Sequence, residues 1–343
     1  MGGASLAQRY ADDGVFPSSL RFNAVMESAL QDGAPAAVAA FYANRAYAPY
    51  WTGAFGVQDK KIEPVLAKFE NARTHALNPD RYHVTEIKAL REAATAEDKA
   101  RLEFLMTDGY LRYVQDISGM RVDAAKLGLA AEHWVQPVPA PEALSWLDRN
   151  GAQLERKLQA LEPAGQVYNR FRHEYMRLSH EISAAGGTPA PIEFTSLLKP
   201  GKAHETVPDI RARMGLEQPE QGKNIYDDNL AAAVMAFQKD NDLTPDGVIG
   251  PETVARMNKG PEDKLRQIAV NMERMRWMPK HMGDKYVVVN IPSAMLWAVE
   301  GGKVALEMPV IVGKPERPTP IFRSEITGMR FNPDWTIPPH HQA

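Results

Sequence analysis

The sequence predicts a multidomain α+β protein, and three observations lead to this prediction. Apolar residues recur at helical spacing through the first half of the chain. A second, short region combines an apolar helical run with a Pro-Asp-Gly turn. After Gly260 the chain becomes rich in β-branched and aromatic residues, which favour strands. We therefore divide the chain at two boundaries, into residues 1–196, 197–260 and 261–343.

The first region is predicted to contain several helices joined by short loops. Its clearest apolar stripe, in RLEFLMTDGYLRYVQDI, contains Leu102, Leu105, Met106, Gly109 and Tyr113. The Gly186–Gly187 pair is expected to end the last helix, and Pro189 and Pro191 cannot continue it. This stretch marks the first domain boundary.

The second region is predicted to be a three-helix bundle. Apolar side chains fall on one face of each of the first two helices; they are Val207, Ile210 and Met214, then Leu230, Val234 and Phe237. Asp227 or Asp228 can cap the second helix by accepting hydrogen bonds from its free N–H groups. A tight turn follows at Pro245-Asp246-Gly247, and Gly250-Pro251 opens the third helix.

The third region is predicted to be β-rich. KYVVVNIPSAMLWAVEGGKVALEMPVIVG contains two strand-like runs around Gly301-Gly302, which indicates a hairpin. ITGMRFNPDW, residues 326–335, is predicted to form a further strand and turn. Three or four strands do not easily form a core of their own, so this domain is expected to be incomplete.

Composition excludes several classes of protein. The 343 residues are 44% hydrophobic and 24% charged, as in ordinary globular proteins, and the net charge of -3 gives no basic surface for nucleic acid. Nine histidines are scattered without metal-ligand spacing, apart from His340–His341, and we predict neither metal nor cofactor. The N-terminus does not have the pattern of a signal peptide, and no stretch is apolar enough for a transmembrane segment.

The second region resembles the peptidoglycan-binding module of many cell-wall enzymes. The resemblance depends on AVMAFQKDNDLTPDGVIGPETVARMN, and its motif residues are Phe237, Gln238, Asp246, Gly247 and Gly250. These residues define the fold of the module, while the surface that contacts glycan or stem peptide varies.

The third region resembles the start of the YkuD-type catalytic domain of the long L,D-transpeptidases. The shared segments are Asn271, Glu273-Arg274, Arg276-Trp277-Met278-Pro279, Val289-Asn290-Ile291-Pro292, Val312-Gly313-Lys314, Arg317-Pro318-Thr319-Pro320, Asn332-Pro333 and Trp335-Thr336. The order of the regions also matches that family. The resemblance implies a helical scaffold domain, a three-helix peptidoglycan-binding module and the N-terminal part of a β-rich catalytic domain. It also implies a periplasmic or cell-envelope location.

The family resemblance implies acyl transfer to a cysteine thiolate, which leads to 3–3 cross-links between peptidoglycan stem peptides. This sequence contains no cysteine and no S-x-G-C-x-R signature, so we assign no catalytic residue. Ser293 and Ser324 are not expected to replace the nucleophile. We interpret the chain as an L,D-transpeptidase truncated before its catalytic motif, which binds peptidoglycan only.

Two alternatives remain open. In the first alternative, the chain is a naturally non-catalytic peptidoglycan-binding protein. In the second, the helical region is a lytic transglycosylase whose acid is Glu103, Glu174 or Glu181. All three glutamates lie on helical runs, where a solvent-facing position is the expectation.

Three further residues are candidates for contact with a substrate. Trp277 and Trp335 could stack on sugars, although such tryptophans more often pack with the indole N–H bonded. Arg317 could pair with a stem carboxylate, although a charge between prolines is more often solvated.

Overall fold

A computed structural model describes residues 18–31, 34–53, 56–92, 95–147, 151–184 and 190–332. The chain divides into two compact units. Unit 1 contains residues 1–73, 77–164 and 273–343, and unit 2 contains residues 74–76 and 165–272. The predicted domain boundaries at residues 196 and 260 stay predictions, and the Gly186–Gly187 pair and Pro189 lie outside the described residues.

Unit 1 is mainly helical. Its helices within the described residues are α1 (Ser18–Gln31), α2 (Ala36–Asn44), α3 (Asp59–Asn71), α4 (Val84–Ala89), α5 (Ala96–Ser118), α6 (Ala140–Ser145) and α7 (Gly151–Leu161). Short 3₁₀ turns follow at Ala72–His75, Pro79–Tyr82, Ala124–Leu127 and Ala131–His133. The mainly helical prediction for this region is confirmed.

Helix α5 forms the centre of this helical core. Thr95 begins it, because the Thr95 Oγ1 accepts a hydrogen bond from Asp98 N at 3.0 Å. The apolar stripe predicted from the sequence is buried. Gly109 permits close packing here, because a Cβ at this position would lie 2.8 Å from the Tyr82 carbonyl oxygen.

One short hairpin interrupts the helices. Strands β1 (Thr52–Gly53) and β2 (Gly56–Val57) pair antiparallel, with Thr52 opposite Val57. These strands are not predicted from the sequence, since two residues are too few to show a period-two pattern.

Unit 2 contains α8 (Gln166–Ala184) and the three predicted helices of the module, α9 (Val207–Arg213), α10 (Asp228–Asp240) and α11 (Pro251–Met257). The module has its own core, formed by Val207, Ile210, Tyr226, Leu230, Val234, Ile249 and Val254. Asp227 is the residue that caps α10, because its Oδ1 accepts a hydrogen bond from Leu230 N at 2.9 Å. The three-helix prediction is therefore confirmed.

Helix α12 (Pro261–Trp277) follows the module, and a three-stranded antiparallel sheet follows the helix. The strands are β3 (Lys285–Asn290), β4 (Met295–Glu300) and β5 (Lys303–Pro309), in the order β3-β4-β5. Val288 pairs with Trp297, and Ala298 pairs with Leu306.

The predicted hairpin at Gly301-Gly302 is confirmed, and both glycines adopt the left-handed φ values, 55° and 74°, that such turns require. The predicted further strand is wrong for residues 326–332, which form no strand, and residues 333–335 lie outside the described residues. A strand needs a partner for its N–H and C=O groups, and sequence alone does not show whether one is present.

Within the described part of the chain, no helix is both long and apolar enough to span a membrane.

Candidate functional site

The tightest polar arrangement in the module surrounds Gln238, whose side chain is buried. Its Oε1 accepts a hydrogen bond from Gly247 N at 2.9 Å, and its Nε2 donates to Val248 O at 3.0 Å and to Asp246 Oδ1 at 3.1 Å. The Asp246 Oδ1 also accepts from Val248 N at 2.8 Å. One amide from α10 therefore fixes the turn that precedes α11.

The structure brings Gln238, Asp246 and Gly247 into direct contact, while the other two motif residues act nearby. Phe237 is partly buried against the module core, and Gly250 is the N-cap of α11. Sequence reasoning did not single out Thr253, whose buried Oγ1 lies 3.3 Å from Gln238 Nε2. Its place in the motif, three residues after Gly250, was the available signal.

Glu273, which lies near the end of α12 and belongs to unit 1, is buried. Its carboxylate accepts hydrogen bonds from Arg121 Nε at 2.7 Å, from Arg276 at 2.5 Å and from Trp277 Nε1 at 3.0 Å. Burial raises the pKa of Glu273, but the charges of Arg276 and Arg121 and the indole hydrogen bond outweigh it. The pKa therefore lies below its ordinary value, and the carboxyl is held ionised.

Trp277 is packed with its indole N–H hydrogen-bonded, and it does not stack on a substrate surface as the functional interpretation expected. Its ring lies against Met120 and Ala124, with the ring of Trp134 at 6.1 Å between centroids. Its carbonyl oxygen accepts a hydrogen bond from Val135 N at 2.8 Å. Because the indole is enclosed, it presents almost no surface to a substrate here.

The two other candidate substrate-side residues lie elsewhere. Arg317 is exposed in a loop, where its N–H donates to the Lys314 carbonyl oxygen at 2.9 Å. Trp335 lies outside the described residues. Of the two candidates that the structure describes, Trp277 is buried and Arg317 is exposed in a loop.

The expectation of a solvent-facing position is wrong for Glu103, which is fully buried. Its two carboxylate oxygens accept hydrogen bonds from three backbone N–H groups and two hydroxyl groups, which belong to Tyr42, Tyr50, Trp51 and Thr52. Burial raises the pKa of Glu103, and these hydrogen bonds offset only part of that effect. The carboxyl fixes the loop at residues 50–52, and an acid saturated in this way is not placed to protonate a glycosidic oxygen.

The other two glutamates considered as a transglycosylase acid, Glu174 and Glu181, form surface ion pairs with Arg177 on the same helix. Glu181 is exposed and Glu174 is partly exposed.

Ser293 is exposed, and its Oγ donates weakly to the Asn290 carbonyl oxygen at 3.4 Å. Within the described ranges, no group of three or more histidine, aspartate or glutamate side chains is placed to hold a metal ion. His340 and His341 lie outside those ranges.

Comparison with protein families gives three matches along the chain. Residues 36–174 match a scaffold domain, residues 212–257 match a family described as "Putative peptidoglycan binding domain", and residues 284–342 match an L,D-transpeptidase catalytic domain. These three matches follow the order predicted along the chain, and they confirm the resemblance to a scaffold domain, a peptidoglycan-binding domain and an L,D-transpeptidase catalytic domain.

A curated relative from Haemophilus influenzae, described as "Putative L,D-transpeptidase", is 38% identical over 74 residues. This match covers 21% of the present chain and 14% of the relative. The chain therefore matches only a small part of the relative's length. None of the 343 residues of the chain is a cysteine.

Proposed function

We propose that this chain binds peptidoglycan at the cell envelope through its module and does not form 3–3 cross-links. The observation that supports peptidoglycan binding is the structure of the module. It matches a peptidoglycan-binding family, has its own core, and holds its turn through the buried Gln238. Binding needs only such a preformed surface.

The absence of a cysteine supports the second half of the proposal. Acyl transfer through a thioester needs a thiolate that attacks the peptide carbonyl, and no other group in the chain supplies sulfur of that reactivity. Residues 284–342 match an L,D-transpeptidase catalytic domain, but without the nucleophile we assign them no turnover.

Co-sedimentation of the purified chain with isolated sacculi tests binding. We expect the wild-type chain in the pellet, and a weaker signal for Gln238→Ala, because the turn loses the amide that holds it. Gln221→Ala, which changes an exposed glutamine of the module, is the matched control and should bind as wild type. A wild-type chain that stays in the supernatant would contradict the proposal.

Mass spectrometry after exposure to a carbapenem tests the absence of a nucleophile. We expect no covalent adduct, and no cross-linked dimer when tetrapeptide stems are supplied. A mass increase of the size of the drug would show that a serine or another group acts as the nucleophile.

A further inference from the structure

One face of the module displays apolar side chains to solvent. Leu197 is 61% exposed and Met235 is 38% exposed, and Pro200 is exposed beside them. Met235 and Pro200 lie beside Gly247, where a Cβ would be 3.4 Å from Met235 Cγ and 3.8 Å from Pro200 Cγ. A Cβ on Gly250 would lie 3.4 Å from Leu197 Cδ2. We call Leu197, Pro200 and Met235 the apolar face.

The backbone beneath the apolar face is held in place. Leu198 pairs with Ile249 through two hydrogen bonds, of 3.1 and 2.9 Å, and the Tyr226 hydroxyl donates to the Gly247 carbonyl oxygen at 2.7 Å. The apolar side chains are therefore displayed on a fixed platform, which lowers the ordering cost of binding. Exposed apolar side chains grouped on a fixed surface indicate a binding face.

Positive charge borders the apolar face. Lys199 and Lys202 are exposed on the same loop, and Lys223 is exposed on the neighbouring stretch. The two stretches are joined by backbone hydrogen bonds, from Gly201 N to Tyr226 O at 2.7 Å and from Tyr226 N to Lys202 O at 2.8 Å.

Residues 197–203 and 222–226 contain these three lysines and no carboxylate, in a chain whose net charge is -3. The nearby Asp246 carboxylate is already engaged by Val248 N and Gln238. A partner that fits this surface carries carboxylates beside small apolar groups.

We propose that the apolar face and Lys199, Lys202 and Lys223 bind the stem peptide of peptidoglycan. The lysines pair with the free carboxylates of the stem, and the apolar face contacts its alanine methyl groups. This inference depends on the proposed function, because it names which part of peptidoglycan the module contacts and where.

Two pairs of variants test the surface by co-sedimentation with sacculi. Met235→Gln should weaken binding about tenfold, the effect of losing one central contact, whereas Ala236→Gln, one position along the exposed side of α10, should bind as wild type. Lys199→Gln should weaken binding and also reduce its salt dependence, whereas Lys239→Gln should do neither. Unchanged melting temperatures for all four variants show that the module is folded.

Sacculi from which an amidase has removed the stem peptides distinguish binding to the stem peptide from binding to the glycan. We expect the wild-type chain to bind intact sacculi and to lose most of its binding to the bare glycan. Full binding to bare glycan, or equal binding by the Met235 and Ala236 variants, overturns the stem-peptide surface while the proposed function stands. A wild-type chain that binds neither preparation overturns both.

Discussion

The helical core of unit 1 and the sheet β3–β5 are both rich in apolar residues, but their side chains have different environments. In α5, Leu102 and Met106 are fully buried, whereas in the sheet Val287 is 46% and Leu306 is 52% exposed. Burial differs because the helices of the core pack on one another, whereas a sheet of a single layer leaves at least one face uncovered. An apolar pattern therefore specifies the element, and burial needs a second element to pack against it.

The end of α12 lies between the two regions in the sequence, and there a buried carboxylate accepts hydrogen bonds beside a small apolar cluster. Glu273 binds Arg121, Arg276 and the Trp277 indole, and Trp277 packs in its own small cluster. The buried polar groups in both Glu103 and Glu273 are satisfied, as interiors require. The comparison predicts that substitutions lower the free energy of unfolding most at Glu103 in the core, less at Glu273 near the end of α12, and least in the sheet.

Loss of the Glu103 carboxylate should have the largest effect. Glu103→Ala leaves three backbone N–H groups and the Thr52 hydroxyl without their acceptor in a fully buried place, while the Tyr42 hydroxyl keeps Thr107 as a partner. The change should cost about 4 kcal/mol of unfolding free energy. Urea denaturation followed by circular dichroism measures it. Glu97→Ala, an exposed glutamate on the same helix, should change stability by less than about 0.5 kcal/mol. Equal effects of the two changes would show that the Glu103 contacts do not determine stability.

Loss of the Glu273 charge should have an intermediate effect that depends on pH. Glu273→Gln should cost about 2 kcal/mol at neutral pH, because a buried ion pair loses one partner while an amide keeps part of the hydrogen bonding. The folded pKa lies below the ordinary value of 4.5, so the ionised carboxyl stabilises the fold above that pH. This contribution is lost as the pH falls from about 4.5 through the folded pKa.

The difference between wild type and Glu273→Gln should therefore shrink as the pH falls below about 4.5. Tryptophan fluorescence during denaturation reports on this region, because Trp277 donates a hydrogen bond to the carboxyl and Trp134 packs against Trp277. Arg274→Gln, an exposed change on the same helix, is the control and should show no such convergence. A difference that stays constant from neutral pH down to pH values near 3 would contradict the role of the ionised carboxyl.

Substitution in the sheet should have the smallest effect. Leu306→Ala removes a side chain that is already half exposed, so it should cost less than about 1 kcal/mol. Leu102→Ala, the matched change in the buried core, should cost about 3 kcal/mol. Differential scanning calorimetry compares the two variants. A loss for Leu306→Ala as large as that for Leu102→Ala would mean that the sheet is covered in solution, by another part of the protein or by a second copy.

Much of the fold follows from local sequence patterns. The module helices, the Asp227 cap, the start of α11 and the Gly301-Gly302 turn follow from patterns within a few residues. Helical spacing, capping and glycine turns depend on short-range geometry, which one sequence displays directly. The resemblance to L,D-transpeptidase and peptidoglycan-binding domains also followed from the sequence, because the motifs are contiguous, and the missing cysteine needed only a count.

Tertiary structure decided what each polar and aromatic side chain contacts. Glu103 and Glu97 look alike on one helix, but only Glu103 faces the loop at residues 50–52, which is distant in the chain. Trp277 is enclosed because residues 120–135 return to it, and the apolar face of the module forms because a loop before α9 reaches α10. These contacts join residues far apart in sequence, so their geometry is set by packing of the whole chain and not by any local period.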